Sequence, residues 1–161
     1  MINPPLAFGT TNQGYQVAAN SIDVYVLGVH GDSQVVAWSS ATIGGVPIDI
    51  ALSSNNNVDR TELADKCKHQ SRSIIQEKGA TPLGMGAVVS SICLSILSDR
   101  RNVRPISHFQ PEFGCCFSLP VVLGRKGIVR TIQMQLDEDE SAKIAESAKA
   151  EGRTLDEIRK E

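Results

Sequence analysis

The side chains with the most obvious chemical reach in this 161-residue chain are three histidines and four cysteines. His30 has the most suggestive setting. It follows the apolar run Val24-Tyr25-Val26-Leu27, stands between Gly28 and Gly31, and is trailed by Asp32 and Ser33. An imidazole titrates near neutral pH, so it can both give and take a proton. Glycines on both sides would let a ligand approach the backbone closely. His30 is therefore a candidate acid–base group. His69, beside Lys68 in a helical pattern, reads as solvent-facing, and His108, in Pro105-Ile106-Ser107-His108-Phe109, as a packed or hydrogen-bonded structural residue.

Other chemistries find little support. His30 and Asp32 could offer two metal ligands, but no second His/Asp/Cys pair at ligand spacing follows, so no metal is expected. Cys67, Cys93, Cys115 and Cys116 form no C-x-x-C pair. Adjacent cysteines on a strand point to opposite faces, which disfavours a shared metal or bridge and predicts reduced thiols. There is no G-x-S-x-G, no P-loop and no G-x-G-x-x-G.

The elements that must position these residues follow from periodicity and caps. Residues 1–20 are rich in Pro, Gly, Asn and Thr and read as loose. Val24–Leu27 and Val35–Trp38 read as strands, and Ser53–Asn57 as a polar loop. Asp59 and Glu62 have the spacing of a capping box, opening a helix that places Leu63, Cys67, Ile74 and Ile75 on one face and stops at Gly79. Thr81-Pro82 starts a second helix, with Thr81 as N-cap and Pro82 at the first helical position. Its residues Met85, Val88, Val89, Ile92, Cys93, Ile96 and Leu97 recur at core spacing. Val103–Phe109 and Cys115–Leu123 read as strands, Gly124–Gly127 as a hairpin loop, and Ile128–Leu136 as its returning strand. An acid-started helix runs from Asp137 towards Glu161, with Gly152 as a weak point. Strands, two helices, strands and a helix predict an α+β fold with antiparallel sheet.

Composition bounds the function. With 41% hydrophobic and 21% charged residues the chain is globular, one domain able to bury roughly 70% of its unfolded surface. A net charge of −2 argues against a nucleic-acid partner. No apolar run approaches the ~20 residues of a membrane span, and Met1-Ile-Asn-Pro-Pro does not open a secretory signal. A cytoplasmic protein is expected. The charge is uneven: residues 1–58 carry three Asp and no Lys or Arg, residues 59–136 eleven basic and six acidic side chains, and residues 137–161 five basic and nine acidic. The cation-free first third lies against another domain or subunit, or is a neutral surface of Ser, Asn, Gln and Thr.

Leu27-Gly28-Val29-His30-Gly31-Asp32-Ser33, with Trp38-Ser39 downstream, resembles the catalytic-histidine motif of L-lactate dehydrogenases and the related malate dehydrogenases. Ile74-Ile75-Gln76-Glu77-Lys78-Gly79-Ala80-Thr81 is similar to that family's substrate-threonine segment. Arg104-Pro105-Ile106-Ser107 and Leu119-Pro120 through Gly124-Arg125-Lys126-Gly127-Ile128 are similar to its late strands and hairpin. The resemblance covers about residues 22 to 150. It implies a loose, unrelated segment over 1–21 and the family's C-terminal, substrate-handling domain over 22–161.

The resemblance further implies that protonated His30 donates its proton to a keto oxygen while a nicotinamide cofactor, NAD, carries the hydride. Thr81 would line the pocket for a small 2-hydroxy or 2-keto acid, and its presence favours lactate over malate. Met85 falls where the family sets an aliphatic residue against the nicotinamide ring, although its place in the apolar stripe makes core the safer expectation. Three departures limit the likeness. Val29 stands where the family usually has an acid. Residues 1–22 contain no Asp, Glu or Arg, so the D-x-x-R motif that orients the imidazole and grips the substrate carboxylate is not present. The Gly-rich nucleotide-binding half is missing too. The expectation is the catalytic-domain portion of an L-lactate dehydrogenase, inactive by itself, whose partners are the missing N-terminal domain or further copies of the chain. The alternatives are a non-catalytic oligomerisation or interaction module, or a malate dehydrogenase fragment.

Overall fold

A computed structural model describes residues 17–18, 21–52 and 59–158, with the backbone alone for 153–158. The loose N-terminal segment, apart from residues 17–18, and the loop at 53–57 lie outside the described residues. Within them the chain runs β1 (Ile22–Asp23), β2 (Val26–Leu27), β3 (Val35–Val36), β4 (Thr42–Ile43), β5 (Val46–Pro47), α1 (Ile48–Ala51), α2 (Arg60–Lys78), α3 (Pro82–Leu97), β6 (Asn102–Gln110), β7 (Cys115–Gly124), β8 (Gly127–Thr131) and α4 (Glu138–Ile158). Every strand pairing is antiparallel, in sheets ordered β1-β4-β5, β2-β3 and β6-β7-β8. The α+β architecture is as expected.

The short β2-β3 ribbon is apolar on both faces because both faces are covered. Successive strand residues point to opposite sides. Val26 and Val36 therefore join Ile22, Val24, Ile48 and Leu63 in one core cluster. Their neighbours Leu27 and Val35 join Phe117, Cys115, Ile144 and Ala148 in another. Burying a side chain of this size stabilises by roughly 1.5–3 kcal/mol. The ribbon so lies between the β1-β4-β5 layer with α1 on one side and β7 with α4 on the other.

Local signals place most helix ends correctly. Asp59 caps α2, its carboxylate accepting the Glu62 N–H at 2.9 Å, and Gly79 closes it with a left-handed φ of 76°. Asp137 caps α4 in the same way, accepting the Glu140 N–H at 2.8 Å. Helix α4 runs through Gly152 unbroken. At α3, Thr81 holds the N-cap position but its side chain makes no capping hydrogen bond; Pro82 alone sets the start.

Three expectations need correction. The run Val24–Leu27 is not one strand: it divides at residues 24–25 between β1 and β2, which pair with different partners. The returning strand stops at Thr131 instead of Leu136, where its pairing with β7 ends at Val121. Most importantly, the apolar stripe of α3 is only partly covered. Met85, at 47%, Val89, Cys93 and Leu97 are exposed and Val88, Ile92 and Ile96 half-buried, while Ser95 is the residue this helix buries. β7 is the strand packed against α3, and the described chain offers no second layer to cover the remaining face. Similarly, α2 buries Leu63 but leaves Ile75 exposed. No helix among the described residues is long and apolar enough to cross a membrane.

Candidate functional site

His30 sits on the turn that joins β2 to β3, exposed to solvent. Three elements fasten this turn from different directions. On the β7 side, Gly28 and Ser118 exchange two backbone hydrogen bonds, Gly28 N–H to Ser118 C=O at 3.2 Å and Ser118 N–H to Gly28 C=O at 3.0 Å. On the α4 side, Ser147 Oγ accepts the Val29 N–H at 3.4 Å and donates to Ser33 Oγ at 3.0 Å. On the α2 side, Lys68 Nζ donates to the Asp32 carbonyl at 2.8 Å and Arg72 approaches the Asp32 carboxylate at 3.5 Å. Among the described residues the His30 ring itself has no hydrogen-bond partner, so both ring nitrogens are free to meet a ligand.

The two glycines have different duties. Gly28 has φ +87°, and an added Cβ would lie 3.4 Å from Ser147 Oγ. Its role is to let the backbone turn while lying against α4, not to admit a ligand. Gly31, at φ +128°, faces open space.

Thr81 and Met85 are linked to this turn indirectly. Lys68 and Arg72 tie the turn to α2, α2 ends at Gly79, and Thr81 opens α3 two residues later, its carbonyl accepting the Met85 N–H at 3.1 Å. Among the described residues no hydrogen bond joins Thr81 or Met85 to His30. The structure places Thr81 half-buried at the α2–α3 junction and Met85, exposed, one turn on.

The remaining candidates behave structurally. His108 is held by the Ile106 carbonyl and by Thr131 Oγ1, both at 3.0 Å, and His69 lies partly exposed against the Asp65 carbonyl. Cys115 is buried and Cys116 exposed, as alternation on β7 requires, and burial pushes the Cys115 and Cys67 thiols up from their ordinary pKa. No metal-ligating cluster occurs among the described residues. A depression of about 410 Å³ opens elsewhere, lined by Tyr25, Ser39, Ser40, Pro120, Met134 and Gln135 among others. Its serine hydroxyls are spent, Ser39 Oγ on Glu140 and Ser40 Oγ on the Gln135 carbonyl, and burial, then the Asp23 charge, raise the Tyr25 pKa.

Sequence reasoning missed Ser147, Ser118, Lys68, Arg72 and Glu140. Glu140 carried a signal, being three residues after the capping Asp137; its buried carboxylate accepts the Ser39 N–H at 3.1 Å and so docks α4 onto the segment after β3. The others carried none, since each acts through a contact distant in sequence. The positive middle third meets the negative first third in two ion pairs, Arg60 with Asp49 and Arg72 with Asp32.

The model of the lactate/malate dehydrogenase, alpha/beta C-terminal domain matches residues 10–160. The L-lactate dehydrogenase of Deinococcus radiodurans is 41% identical over 128 residues, covering 77% of this chain and 42% of that protein. L-lactate dehydrogenase A of Rhizopus oryzae is 34% identical over 136 residues, covering 84% and 42%. A solved lactate dehydrogenase from a Medee basin deep-sea metagenome library superposes with a TM-score of 0.87 at 26% identity, over 98% of this chain and 52% of that one. The chain therefore spans less than half the length of these curated relatives. From the shared fold and a match over nearly its whole length, the chain belongs to the lactate/malate dehydrogenase C-terminal domain family.

Proposed function

We propose that this chain supplies the proton-transfer and substrate-positioning part of an NAD-dependent L-lactate dehydrogenase in the cytoplasm, and that it is inactive alone. The observation that carries the reading is His30: an exposed imidazole with no intramolecular partner among the described residues, on a turn fastened by β7, α4 and α2. Protonated, it hydrogen-bonds the keto oxygen of a 2-keto acid and donates its proton there; neutral, it takes the hydroxyl proton of the 2-hydroxy acid. Thr81 lines the acid's pocket from the α2–α3 junction. Met85, exposed on the first turn of α3, offers an apolar surface to the nicotinamide.

The described residues do not themselves fit a whole dinucleotide. The N-termini of α2 and α4 are filled by Asp59 and Asp137 with further acids behind them, which repels a pyrophosphate. Gly44 and Gly45 lead into a two-residue strand and a four-residue helix, not a phosphate-cradling turn. The cofactor would supply the hydride, and no step of that transfer is assigned to this chain. The open face of α3 suits a working assembly in which a nucleotide-binding half, or a further copy of the chain, covers it.

The test is reconstitution. The purified chain is expected to oxidise no lactate with NAD. Co-expressed with the nucleotide-binding half of the Deinococcus radiodurans relative it gains activity, which His30→Asn lowers by roughly 10²–10⁴-fold. Turnover by the chain alone, or a reconstituted pair indifferent to His30→Asn, overturns the proposal. The same α3 face favours a second reading, a non-catalytic association module; a stable complex without dehydrogenase activity would select it.

A further inference from the structure

We propose that Ser147 is a positioning residue for His30, clasping the turn that carries the imidazole. This rests on the reading of His30 as the proton carrier.

The geometry is specific. Ser147 is 3% exposed, on the buried face of α4 with Glu140, Ile144 and Ala148. Its hydroxyl spans the turn: it accepts from Val29 N–H, immediately before His30, and donates to Ser33 Oγ, three residues after it. Donor and acceptor capacities are thus both used across the turn. A helical serine ordinarily sends its O–H back to the carbonyl four residues earlier; here it is turned outward to Ser33. The bare Cα of Gly28 lies against the same hydroxyl, so the sequence Gly28-Val29-His30 is laid directly on α4.

The other side-chain anchor is weaker. Arg72 and Asp32 meet at the surface with their side chains 64% and 80% exposed, and exposed pairs of this kind contribute little; Lys68 holds only the Asp32 main-chain carbonyl, two residues beyond His30. The Ser147 hydroxyl is itself buried, so its two bonds are less screened than that surface pair. Because the His30 ring has no bond of its own among the described residues, its location depends on how firmly the backbone on either side is held. Ser147 therefore sets the position from which the proton is passed.

The experiment is amide hydrogen exchange on the full chain, with NMR of the His30 ring carbon–proton resonance, for wild type, Ser147→Ala and Ser33→Ala. Exchange at Val29, Gly31 and Asp32 is expected to accelerate about five- to tenfold in Ser147→Ala, the order expected for loss of a hydrogen bond, and by about two- to threefold at Gly31 and Asp32 in Ser33→Ala, which keeps the Val29 bond. The His30 signal narrows as the ring gains motion, while the β6–β7 amides exchange as before. Ser147→Ala removes both bonds and Ser33→Ala only the Ser147–Ser33 one, so the double variant adds little to Ser147→Ala. Ser33→Ala, at an exposed position, keeps the test open if Ser147→Ala folds poorly. Unchanged exchange in the turn, or acceleration spread equally over β6 and β7, overturns the proposal. Both readouts concern the turn itself, so they stand apart from the His30→Asn assay, which tests the proton-carrier reading separately.

Discussion

The β2-β3 ribbon and helix α3 are both strongly apolar, yet they meet opposite fates. The ribbon is four residues in two strands, buried on both faces between two core clusters. The helix is sixteen residues, Pro82–Leu97, and exposes most of its large side chains. Apolarity in a sequence states that a surface is built to be covered; it does not state by what. In the ribbon the cover is encoded nearby in the same chain, and for most of α3 it is not found among the described residues.

The comparison can be broken most directly by large-to-small substitutions. Phe117→Ala, at a position 2% exposed, is expected to cost about 3–5 kcal/mol in denaturant unfolding. Leu83→Ala, at a position 88% exposed, should change stability by less than about 0.5 kcal/mol. Comparable losses at both sites would mean that α3 is covered after all. Next in size, Gly28→Ala forces a side chain to φ +87° against Ser147 Oγ, an expected cost of about 1–2 kcal/mol measured the same way.

A smaller effect should have the opposite sign. Ser118 Oγ is buried without a hydrogen-bond partner among the described residues, beside the Gly28 bridge. Ser118→Ala removes a desolvated hydroxyl and is expected to stabilise by up to about 1 kcal/mol; destabilisation would reveal a partner. Smallest is a pH effect at the far hairpin. The Arg125 main-chain N–H, and then the Arg101 charge, hold the Asp99 carboxyl below its ordinary pKa. A depressed pKa gives stabilisation that is complete at neutral pH and lost as pH falls through the folded-state value. A shallow loss of hairpin protection below about pH 4 is expected in wild type, and Asp99→Asn, which keeps an acceptor and tolerates the φ of 46° at this site, should abolish it.

What was legible follows the same division. Asp59, Gly79, Pro82 and Asp137 announce helix boundaries because caps act within a few residues, and the Gly124–Gly127 hairpin announces itself likewise. The split of Val24–Leu27 and the strands β1, β4 and β5 were not legible, since two residues carry no periodicity. The core reading of Met85 failed because helical spacing identifies a face without identifying its neighbour. His30 could be found from its motif, whereas Ser147, in a polar helix with no motif around it, became visible only through contacts spanning more than a hundred residues.

That span has a consequence for how the protein is made. The turn bearing His30 is translated before the hydroxyl that closes over it, which follows 114 to 118 positions later. Pairings this remote in sequence form late and slowly. A nascent chain therefore carries the His30 turn without its Ser147 contacts until α4 docks.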